Sequence, residues 1–224
     1  MTIATIIVNY NAGETVQRWV SALLQNSIKT SVTLVDNASS DKSAEALLGI
    51  YGHQQAIEFL FNEQNLGFAP AVNAVARQLK TDLVLVLNPD CILEPDCVEQ
   101  LVTAMQSDSK AGLAGPAVVD LKGRSQRATA RRFPSPWKSL MTASGLWRLG
   151  KWFPAFLGVE VDVSTNPQKT QVIEAVSGAC MLIRRSALEE VAYLDENYAM
   201  HCEDLDLMFR LKQRDWHCLY VPAA

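Results

Sequence analysis

Short apolar runs alternate with amphipathic segments through the first half of the chain. Runs of this length and content are typical of strands that are buried on both faces of a sheet. Four of them predict strands, at residues 3–8, 32–35, 57–61 and 83–87. Apolar positions at helical spacing predict three intervening helices, at residues 16–24, 44–48 and 69–79. Strands that alternate with helices indicate βαβ units, so we predict an α/β fold with a mainly parallel sheet.

The second half has a weaker pattern. Apolar runs predict further strands at residues 113–119 and 218–221, and a third that is interrupted within residues 172–183. Residues 126–130 suit an edge strand, and residues 203–212 suit a helix. Residues 131–160 are rich in Arg, Lys, Trp, Phe, Pro and Gly, and they show little periodicity.

Composition excludes several classes of protein. The 224 residues are 49% hydrophobic and 20% charged, which is typical of a folded globular domain. A net charge of −4 gives no reason to expect a nucleic-acid partner. Five cysteines without a C-x-x-C pair indicate reduced thiols and a cytoplasmic setting. The N-terminal residues predict a strand rather than a signal peptide, and no apolar run is long enough to span a bilayer.

Polar residues follow the predicted strands where each strand ends. Asn9-Tyr10-Asn11 follows the first strand, Asp36-Asn37 the second, and Asn88-Pro89-Asp90 the fourth. In open parallel sheets, ligands bind beyond the carboxyl ends of the strands. The chain contains neither G-x-G-x-x-G after the first strand nor a P-loop sequence, which weighs against dinucleotide enzymes and P-loop NTPases.

These residue types suit a nucleotide diphosphate. Asp36 can accept hydrogen bonds from a base or a ribose hydroxyl, and Asp90 can hold a divalent cation that bridges phosphates. Gly67, two residues after Asn65, precedes a helix N-terminus, where backbone amides attract anions, and Asn73 lies one turn further along. Each residue alone is also an ordinary turn or cap residue. Their common placement at successive strand ends favours the functional interpretation.

A third acidic cluster, Glu203-Asp204-Leu205-Asp206, opens a predicted helix. Asp206 and Arg210 are four residues apart and can pair on the helix surface. Two interpretations remain open for the other two acids. They can favour the helix N-terminus through its dipole, or one of them can be a general base at the margin of the core.

Taken together, these blocks resemble family 2 glycosyltransferases of the GT-A fold, and within them the bacterial rhamnosyltransferase-like branch. The resemblance covers nearly the whole chain. The matching blocks are residues 6–11, 35–41, 65–69 with Asn73, 87–90, 177–184 and 202–207 with Arg210.

The resemblance implies a fold and a reaction. The fold would be a single GT-A-like domain of three layers, with a nucleotide-sugar-binding half at about 1–115 and an acceptor-side half at about 116–224. The reaction would be inverting transfer of a sugar, L-rhamnose from dTDP-rhamnose, to a cell-surface glycan or a lipid-linked saccharide. Mg²⁺ or Mn²⁺ would be the cofactor.

The resemblance also assigns roles to residues. Asp90 would bind the metal, and Asp204 or its neighbour Glu203 would deprotonate the acceptor hydroxyl. The residues expected to bind the donor are Asn9, Tyr10, Asn11, Asp36, Asn65, Gly67, Asn73 and Asn88. Two departures from the family pattern follow from the resemblance: Asn88 stands where the D-x-D motif has its first carboxylate, and we expect the family's usual C-terminal segment to be lacking.

Three further points stay open at this stage. Residues 127–156 carry basic and aromatic side chains that could rest on the inner face of the plasma membrane, or could form an ordinary loop over the core. A sugar-nucleotide nucleotidyltransferase is an alternative, although residues 11–14 lack the glycine-rich basic signature expected of that class. A non-catalytic sugar-nucleotide-binding module is the other, and it predicts ligand binding that survives loss of Asp204.

Overall fold

The chain folds around one large sheet and a small two-stranded sheet. The computed structural model describes residues 1–13, 16–120, 122–126, 129–161, 163, 169–198 and 201–224. Its strands are β1 Ile3–Asn9, β2 Ser31–Asp36, β3 Ile57–Phe61, β4 Leu83–Leu87, β5 Ala111–Pro116, β6 Ala130–Arg131, β7 Gln171–Ile173, β8 Ala175–Val176, β9 Cys180–Arg184 and β10 His217–Val221. Its α-helices are α1 Val16–Leu24, α2 Ser43–Tyr51, α3 Phe68–Ala76, α4 Cys97–Ser107, α5 Pro136–Ser144, α6 Arg185–Glu190 and α7 Glu203–Gln213. Two 3₁₀ helices span Leu146–Lys151 and Pro154–Phe156.

The large sheet has the strand order β3-β2-β1-β4-β9-β5-β10-β7. Strand β1 is parallel to both β2 and β4, whereas β9 runs antiparallel between β4 and β5. Strand β7 is the antiparallel edge strand beside β10. The predicted α/β fold with a mainly parallel sheet is therefore confirmed.

Both faces of the sheet are covered, which explains the continuous apolar runs. In β4, Leu83, Leu85 and Leu87 belong to one core, whereas Val84 and Val86 belong to the other. The first core includes residues of α1, α2 and α4, and the second includes residues of α3, α6 and α7. Alternate side chains of a strand point to opposite faces, so a strand between two helix layers has no face exposed to solvent. The result is the expected three layers.

The predicted strand within residues 172–183 is three strands in the structure. Residues 175–176 pair with β6 in the small sheet, and the chain then turns at Ser177-Gly178 to enter the large sheet as β9. The strand predicted at 113–119 begins two residues earlier and ends at Pro116. Of the predicted edge strand at 126–130, residues 127 and 128 lie outside the described residues. Ala130 begins β6, which continues to Arg131.

All five cysteines are free thiols. Cys97, Cys180 and Cys218 are buried, and burial raises the pKa of the Cys218 thiol to about 12. Burial also raises the pKa of Cys91 to about 12. These thiols serve as small apolar core residues, in agreement with the prediction of reduced thiols.

Residues 131–160, which showed little periodicity, contain the end of β6 followed by α5 and the two 3₁₀ helices. Helix α5 begins after Ser135, whose hydroxyl accepts a hydrogen bond from the Lys138 N–H, and ends at Gly145 in the left-handed conformation. Over the part of the chain that the structure describes, the helices are too short or too polar to cross a bilayer.

Candidate active site

The polar residues that follow β1, β2 and β4 lie along one edge of the sheet. Asn9 is opposite Asp36 in the β1–β2 register, and Ile7 is opposite Leu87 in the β1–β4 register. Asn88 to Asp90 therefore leave the sheet beside the end of β1. Strands β2 and β4 are two strand spacings apart, about 10 Å, which leaves room for a sugar diphosphate between them.

Asn9 orients Asp36. Its side chain is fully buried, and its Nδ2 lies 2.8 Å from Asp36 Oδ1, 2.8 Å from Ser43 Oγ and 3.1 Å from Ser39 Oγ. The other oxygen of Asp36 accepts a hydrogen bond from the Ser39 N–H. Asn9 Oδ1 is buried without a hydrogen-bond partner among the described residues. Asp36 is thus held in one orientation at the end of β2, and little of its side chain is exposed.

The loops that follow β1 and β2 are joined by hydrogen bonds. Asn11 adopts the left-handed conformation, its N–H donates to Ser39 Oγ, and its Oδ1 accepts from the Ser40 N–H at 2.8 Å. Asp41 accepts a hydrogen bond from the Gly13 N–H. Tyr10 has half of its side chain exposed at the same edge. The predicted residues Asn9, Asn11 and Asp36 are therefore brought together, with Tyr10 beside them.

Asn37, which sequence reasoning treated only as part of a strand end, organises the loop that follows β3. Its Nδ2 donates to Asn65 Oδ1 at 2.8 Å and to the Gly67 carbonyl at 3.1 Å. Its Oδ1 accepts from Asn62 Nδ2 and from the Leu66 N–H, both at 3.0 Å. One buried amide side chain therefore fixes the whole loop of residues 62–67. The recurrence of asparagine at 37, 62 and 65 was the signal that could have indicated this.

Gly67 is the residue before α3, as predicted. Its φ of 89° and ψ of 169° lie in a region that residues with a Cβ rarely adopt. Asn65 Oδ1 also accepts from the Gly67 N–H at 2.9 Å, which completes the turn. The turn leaves the first backbone amides of α3 at the same edge of the sheet as Asp36.

Asn73 lies inside the protein rather than at its surface. It is fully buried, its Nδ2 donates to the Leu194 carbonyl and to Glu196 Oε1, and its Oδ1 accepts from the Leu194 N–H. These bonds tie α3 to the segment after α6. The donor contact predicted for Asn73 stays a prediction. Its hydrogen bonds favour a structural role in which it links α3 to the segment after α6.

Asp204 lies against the backbone next to the end of β4. The Asn88 N–H donates to the Ala179 carbonyl at 2.9 Å, so the turn before β9 lies alongside Asn88. A Cβ added to Gly178 would be 2.8 Å from Oδ2 of Asp204 and 2.9 Å from its Cβ. Such contacts are too close for a real side chain, so glycine is required there for Asp204 to approach. The acid at the start of α7 is thereby placed beside Asn88.

Arg131 holds the Asp204 carboxylate. Its Nη2 is 2.8 Å from Asp204 Oδ2 and 2.9 Å from the Val176 carbonyl. Both side chains are less than one-fifth exposed. Sequence reasoning placed Arg131 only in the basic stretch, because its partner is 73 positions away in the sequence. Glu203 Oε2 is buried and has no hydrogen-bond partner within the described ranges.

The expected pair between Asp206 and Arg210 is present, with 2.6 Å between its closest charged atoms. Arg210 also donates to the Tyr193 carbonyl. Asp206 is therefore paired with an arginine, as Asp204 is, and the two acids differ in that Asp204 lies against Gly178.

Asp90 has an exposed carboxylate, and Asn88 is half-buried beside it. The residues described contain no group of three or more His, Cys, Asp or Glu side chains placed to hold a metal. Mg²⁺ in nucleotide sites is bound through one or two carboxylates together with substrate phosphates and water. One accessible carboxylate with an amide oxygen nearby fits a cation that the nucleotide brings with it. It does not fit a cation enclosed entirely by protein ligands.

Comparison with known proteins agrees with the geometry. Residues 4–192 match the family described as Glycosyl transferase family 2. An N-acetylglucosaminyl-diphospho-decaprenol L-rhamnosyltransferase of Mycobacterium tuberculosis is 32% identical over 98% of this chain and 73% of its own length. A poly-beta-1,6-N-acetyl-D-glucosamine synthase of Staphylococcus aureus is 23% identical over 99% of this chain and 48% of its own.

Solved structures share the fold. TarS of S. aureus superimposes with a TM-score of 0.68 at 13% identity, and GalNAc-T7 with UDP, GalNAc and Mn²⁺ superimposes with 0.71 at 17%. Essentially all of this chain is covered, but it spans only 36% and 42% of those two chains. The fold is that of GT-A glycosyltransferases, and the chain belongs to glycosyl transferase family 2.

Proposed function

We propose that this protein is an inverting glycosyltransferase that moves L-rhamnose from dTDP-rhamnose to a lipid-linked saccharide. The main structural support for glycosyl transfer is the position of Asp204. Its carboxylate pairs with Arg131 and lies against Gly178, beside the end of β4. Family membership supports the class, and the similarity to a mycobacterial rhamnosyltransferase supports the choice of sugar and acceptor.

The donor lies across the ends of β2, β1 and β4 in this proposal. Asp36, oriented by Asn9, accepts hydrogen bonds from the nucleoside, with Tyr10 and Asn11 beside it. The amides that open α3 after Gly67 face the phosphates, because a helix N-terminus attracts anions. Asn65 contributes by fixing this turn.

Asp90 and Asn88 are the residues that would hold Mg²⁺ or Mn²⁺ together with the donor diphosphate. A bound cation of this kind neutralises negative charge on a departing nucleoside diphosphate. The neighbouring structure that contains UDP and Mn²⁺ is consistent with this assignment. Because Asn88 replaces a carboxylate, Asp90 supplies the only protein charge that we assign to the cation.

Asp204 is the general base. Its carboxylate accepts the proton of the acceptor hydroxyl while the hydroxyl oxygen forms a bond to the anomeric carbon of the donor. The bond from that carbon to the phosphate oxygen breaks, and its electron pair leaves with the nucleoside diphosphate. Attack from the opposite face inverts the anomeric centre. Arg131 keeps the carboxylate in one position, which is a precondition for an aligned attack.

The acceptor approaches from the side of β6. Arg132, the neighbour of Arg131, lines a cavity of about 580 Å³ together with Thr129, Trp147 and Lys151. Basic side chains with an aromatic ring suit a saccharide that carries a diphosphate. An acceptor of this kind is anchored in lipid, so we place the reaction at the inner face of the plasma membrane.

A donor screen tests the proposal. Purified protein is incubated with dTDP-rhamnose, UDP-sugars and GDP-sugars, with and without Mn²⁺, and thermal unfolding and nucleoside diphosphate release are measured. We expect the largest rise in Tm with dTDP-rhamnose plus Mn²⁺, and turnover with that donor. Turnover with a UDP- or GDP-sugar alone would overturn the sugar assignment, and binding without any turnover would support a non-catalytic module.

Replacing Asp90 tests the cation assignment. Asp90→Ala removes the accessible carboxylate, so the Mn²⁺-dependent part of the donor-induced Tm rise should disappear while the Mn²⁺-independent part remains. Asp96→Ala, which changes another exposed acid shortly after it, should leave both parts unchanged. An unaltered Mn²⁺ effect in Asp90→Ala would contradict the assignment.

A further inference from the structure

We propose that the segment 136–156 is a docking surface for a bilayer that contains anionic phospholipid. It carries a concentration of exposed large apolar side chains: Trp137, Leu140, Trp147, Leu149, Trp152 and Phe153. Trp152 is 70% exposed and Phe153 58% exposed. Soluble surfaces rarely carry so many neighbouring apolar side chains without a partner.

The segment does not form an ordinary loop that covers the core. Helix α5 has nine residues and buries only Met141, and the 3₁₀ helix Pro154–Phe156 buries none. If the aromatic rings covered an acceptor-side core, they would be packed against it. Their exposure instead leaves the apolar area available to a partner outside the molecule.

Internal contacts hold the segment together as one surface. Trp137 Nε1 donates to the Ala155 carbonyl at 2.7 Å, which joins the start of α5 to the last 3₁₀ helix. The Thr142 hydroxyl accepts from the Val159 N–H at 2.9 Å, which joins the end of α5 to the chain that returns to the core. Phe153 and Phe156 make an edge contact, with 6.3 Å between ring centroids. The apolar side chains therefore belong to a single folded unit.

Charge identifies the partner. The segment contains three basic residues, Lys138, Arg148 and Lys151, and no aspartate or glutamate, although the whole chain has a net charge of −4. Arg148 and Lys151 are exposed between the tryptophans, and the Arg148 guanidinium lies over the Trp147 ring at 5.6 Å. Tryptophan prefers the boundary between lipid and water, and neighbouring basic residues are attracted to anionic headgroups. A surface with one sign of charge is also unsuited to a two-fold contact with its own copy, because like charges would face each other.

Vesicle sedimentation tests the proposal without requiring catalysis. Purified full chain is mixed with vesicles of phosphatidylglycerol and phosphatidylethanolamine, or with vesicles of phosphatidylcholine alone, at low and high salt. We expect binding to the anionic vesicles that weakens with salt, and at least tenfold weaker binding to phosphatidylcholine. The combined Trp152→Ser and Phe153→Ser variant should bind anionic vesicles at least tenfold more weakly, while Val172→Ser, which changes an exposed apolar residue elsewhere, should bind as the parent does.

Charge reversal supplies a second arm. Arg148→Glu with Lys151→Glu should weaken binding to anionic vesicles by at least about 30-fold, because loss of each basic residue near the surface alone weakens binding about fivefold. Lys80→Glu, an exposed lysine outside the segment, is the matched control. Equal binding to both vesicle types, no binding, or binding that the segment variants leave unchanged would overturn the proposal. So would a dimer in light scattering that Trp152→Ser dissociates, since the occupant would then be a second copy.

This inference rests on the proposed function only for its biological purpose, and the two can fail separately. Transfer to a short, water-soluble acceptor should be unchanged in the Trp152→Ser and Phe153→Ser variant, because neither residue lines the site. Vesicle binding without turnover would support the docking surface and contradict the proposed reaction. Turnover without vesicle binding would support the reaction and contradict the docking surface.

Discussion

The contact between Arg131 and Asp204 brings together two side chains that belong to different parts of the fold. Arg131 lies on the two-residue strand β6, and its guanidinium reaches both the Val176 carbonyl and the carboxylate at the start of α7. An arginine can bind an oxygen pair from a fixed direction because its donors form a planar fork. We infer that it positions Asp204 rather than reacting itself.

Substitution of Arg131 should separate positioning from donor binding. Arg131→Met should lower kcat by about 10- to 100-fold, because a base displaced by about 1 Å loses that much. The Kd for the donor should not change. Arg131→Lys should recover part of the rate, since it keeps the charge without the fork. Arg124→Met, at an exposed arginine that pairs with Asp120, is the control for loss of a basic residue. Full activity in Arg131→Met would remove the proposed role.

At the residue scale, local signals were visible in the sequence and long-range partners were not. Asp36, Asn88 and Asp90 could be placed because the carboxyl end of a parallel strand is a ligand-binding position in any such sheet. The Arg131 ion pair depends on the pairing of β6 with β8, and although the sequence suggested strands near both, it did not indicate that they pair. Gly178 was part of a matched block. Whether that position tolerates a Cβ depends on how closely Asp204 of α7 approaches it, which the sequence did not indicate.

The turn before α3 is the element whose shape depends most directly on one residue. Gly67→Ala places a Cβ in a conformation that costs roughly 1–3 kcal/mol. The hydrogen bonds that the Asn37 side chain donates and accepts hold the loop in this conformation. We therefore expect Gly67→Ala to lower the Tm and to weaken donor binding.

Gly49→Ala is the matched control for that change. Gly49 lies inside α2 with open space around its Cα, so alanine should stabilise the helix by about 0.5–1 kcal/mol. Thermal unfolding with and without a dTDP-sugar distinguishes the two variants. A Gly67→Ala protein that is as stable as its parent and binds donor equally well would show that the turn does not require glycine.

The elements that were predicted well are those that are buried on both sides. Strands β1 to β4 appear within one residue of the predicted bounds; every position of β1 and β4 is buried, as are all positions of β2 after the first. Helix α5 was not predicted: its apolar residues Trp137, Leu140 and Met141 cover little more than one turn, and Met141 is the one that is buried. The exposed apolar side chains of α5 form part of the proposed docking surface and do not pack in the core.

Across the whole molecule, several carboxyls are stabilised in their charged form by hydrogen bonds. The hydrogen bond with His217 lowers the pKa of Asp108, and the Arg124 N–H lowers the pKa of Asp120. A carboxyl whose pKa is lower in the folded state binds fewer protons there than in the unfolded state. Its contribution to stability is therefore complete above the unfolded pKa, near pH 4, and is lost as the pH falls through the folded value.

Thermal unfolding between pH 7 and pH 3 tests this coupling. The Tm of the parent should fall below about pH 4, and Asp108→Asn should show a smaller fall over that interval because it no longer has the titrating group. The control is Glu63→Gln, which removes an exposed carboxyl from the surface. If the Tm fell equally below pH 4 in the parent and in Asp108→Asn, the contact with His217 would not contribute to the pH dependence of stability.

In the whole molecule as we propose it, a donor held at the strand ends meets a general base that α7 provides. Asp204 and Asp206 offer a matched pair, since both lie in the first turn of α7 and each is paired with an arginine. Only Asp204 contacts Gly178 beside the end of β4. Glu203→Gln separates the neighbouring acid from Asp204.

The most direct test measures sugar transfer and donor binding for Asp204→Asn, Asp206→Asn and Glu203→Gln alongside the parent. We predict that Asp204→Asn binds the donor normally and loses about 10²- to 10⁴-fold in transfer, the usual contribution of a general base. Asp206→Asn and Glu203→Gln should transfer at close to the parental rate. Near-parental transfer by Asp204→Asn, or a loss confined to Glu203→Gln, would contradict the account.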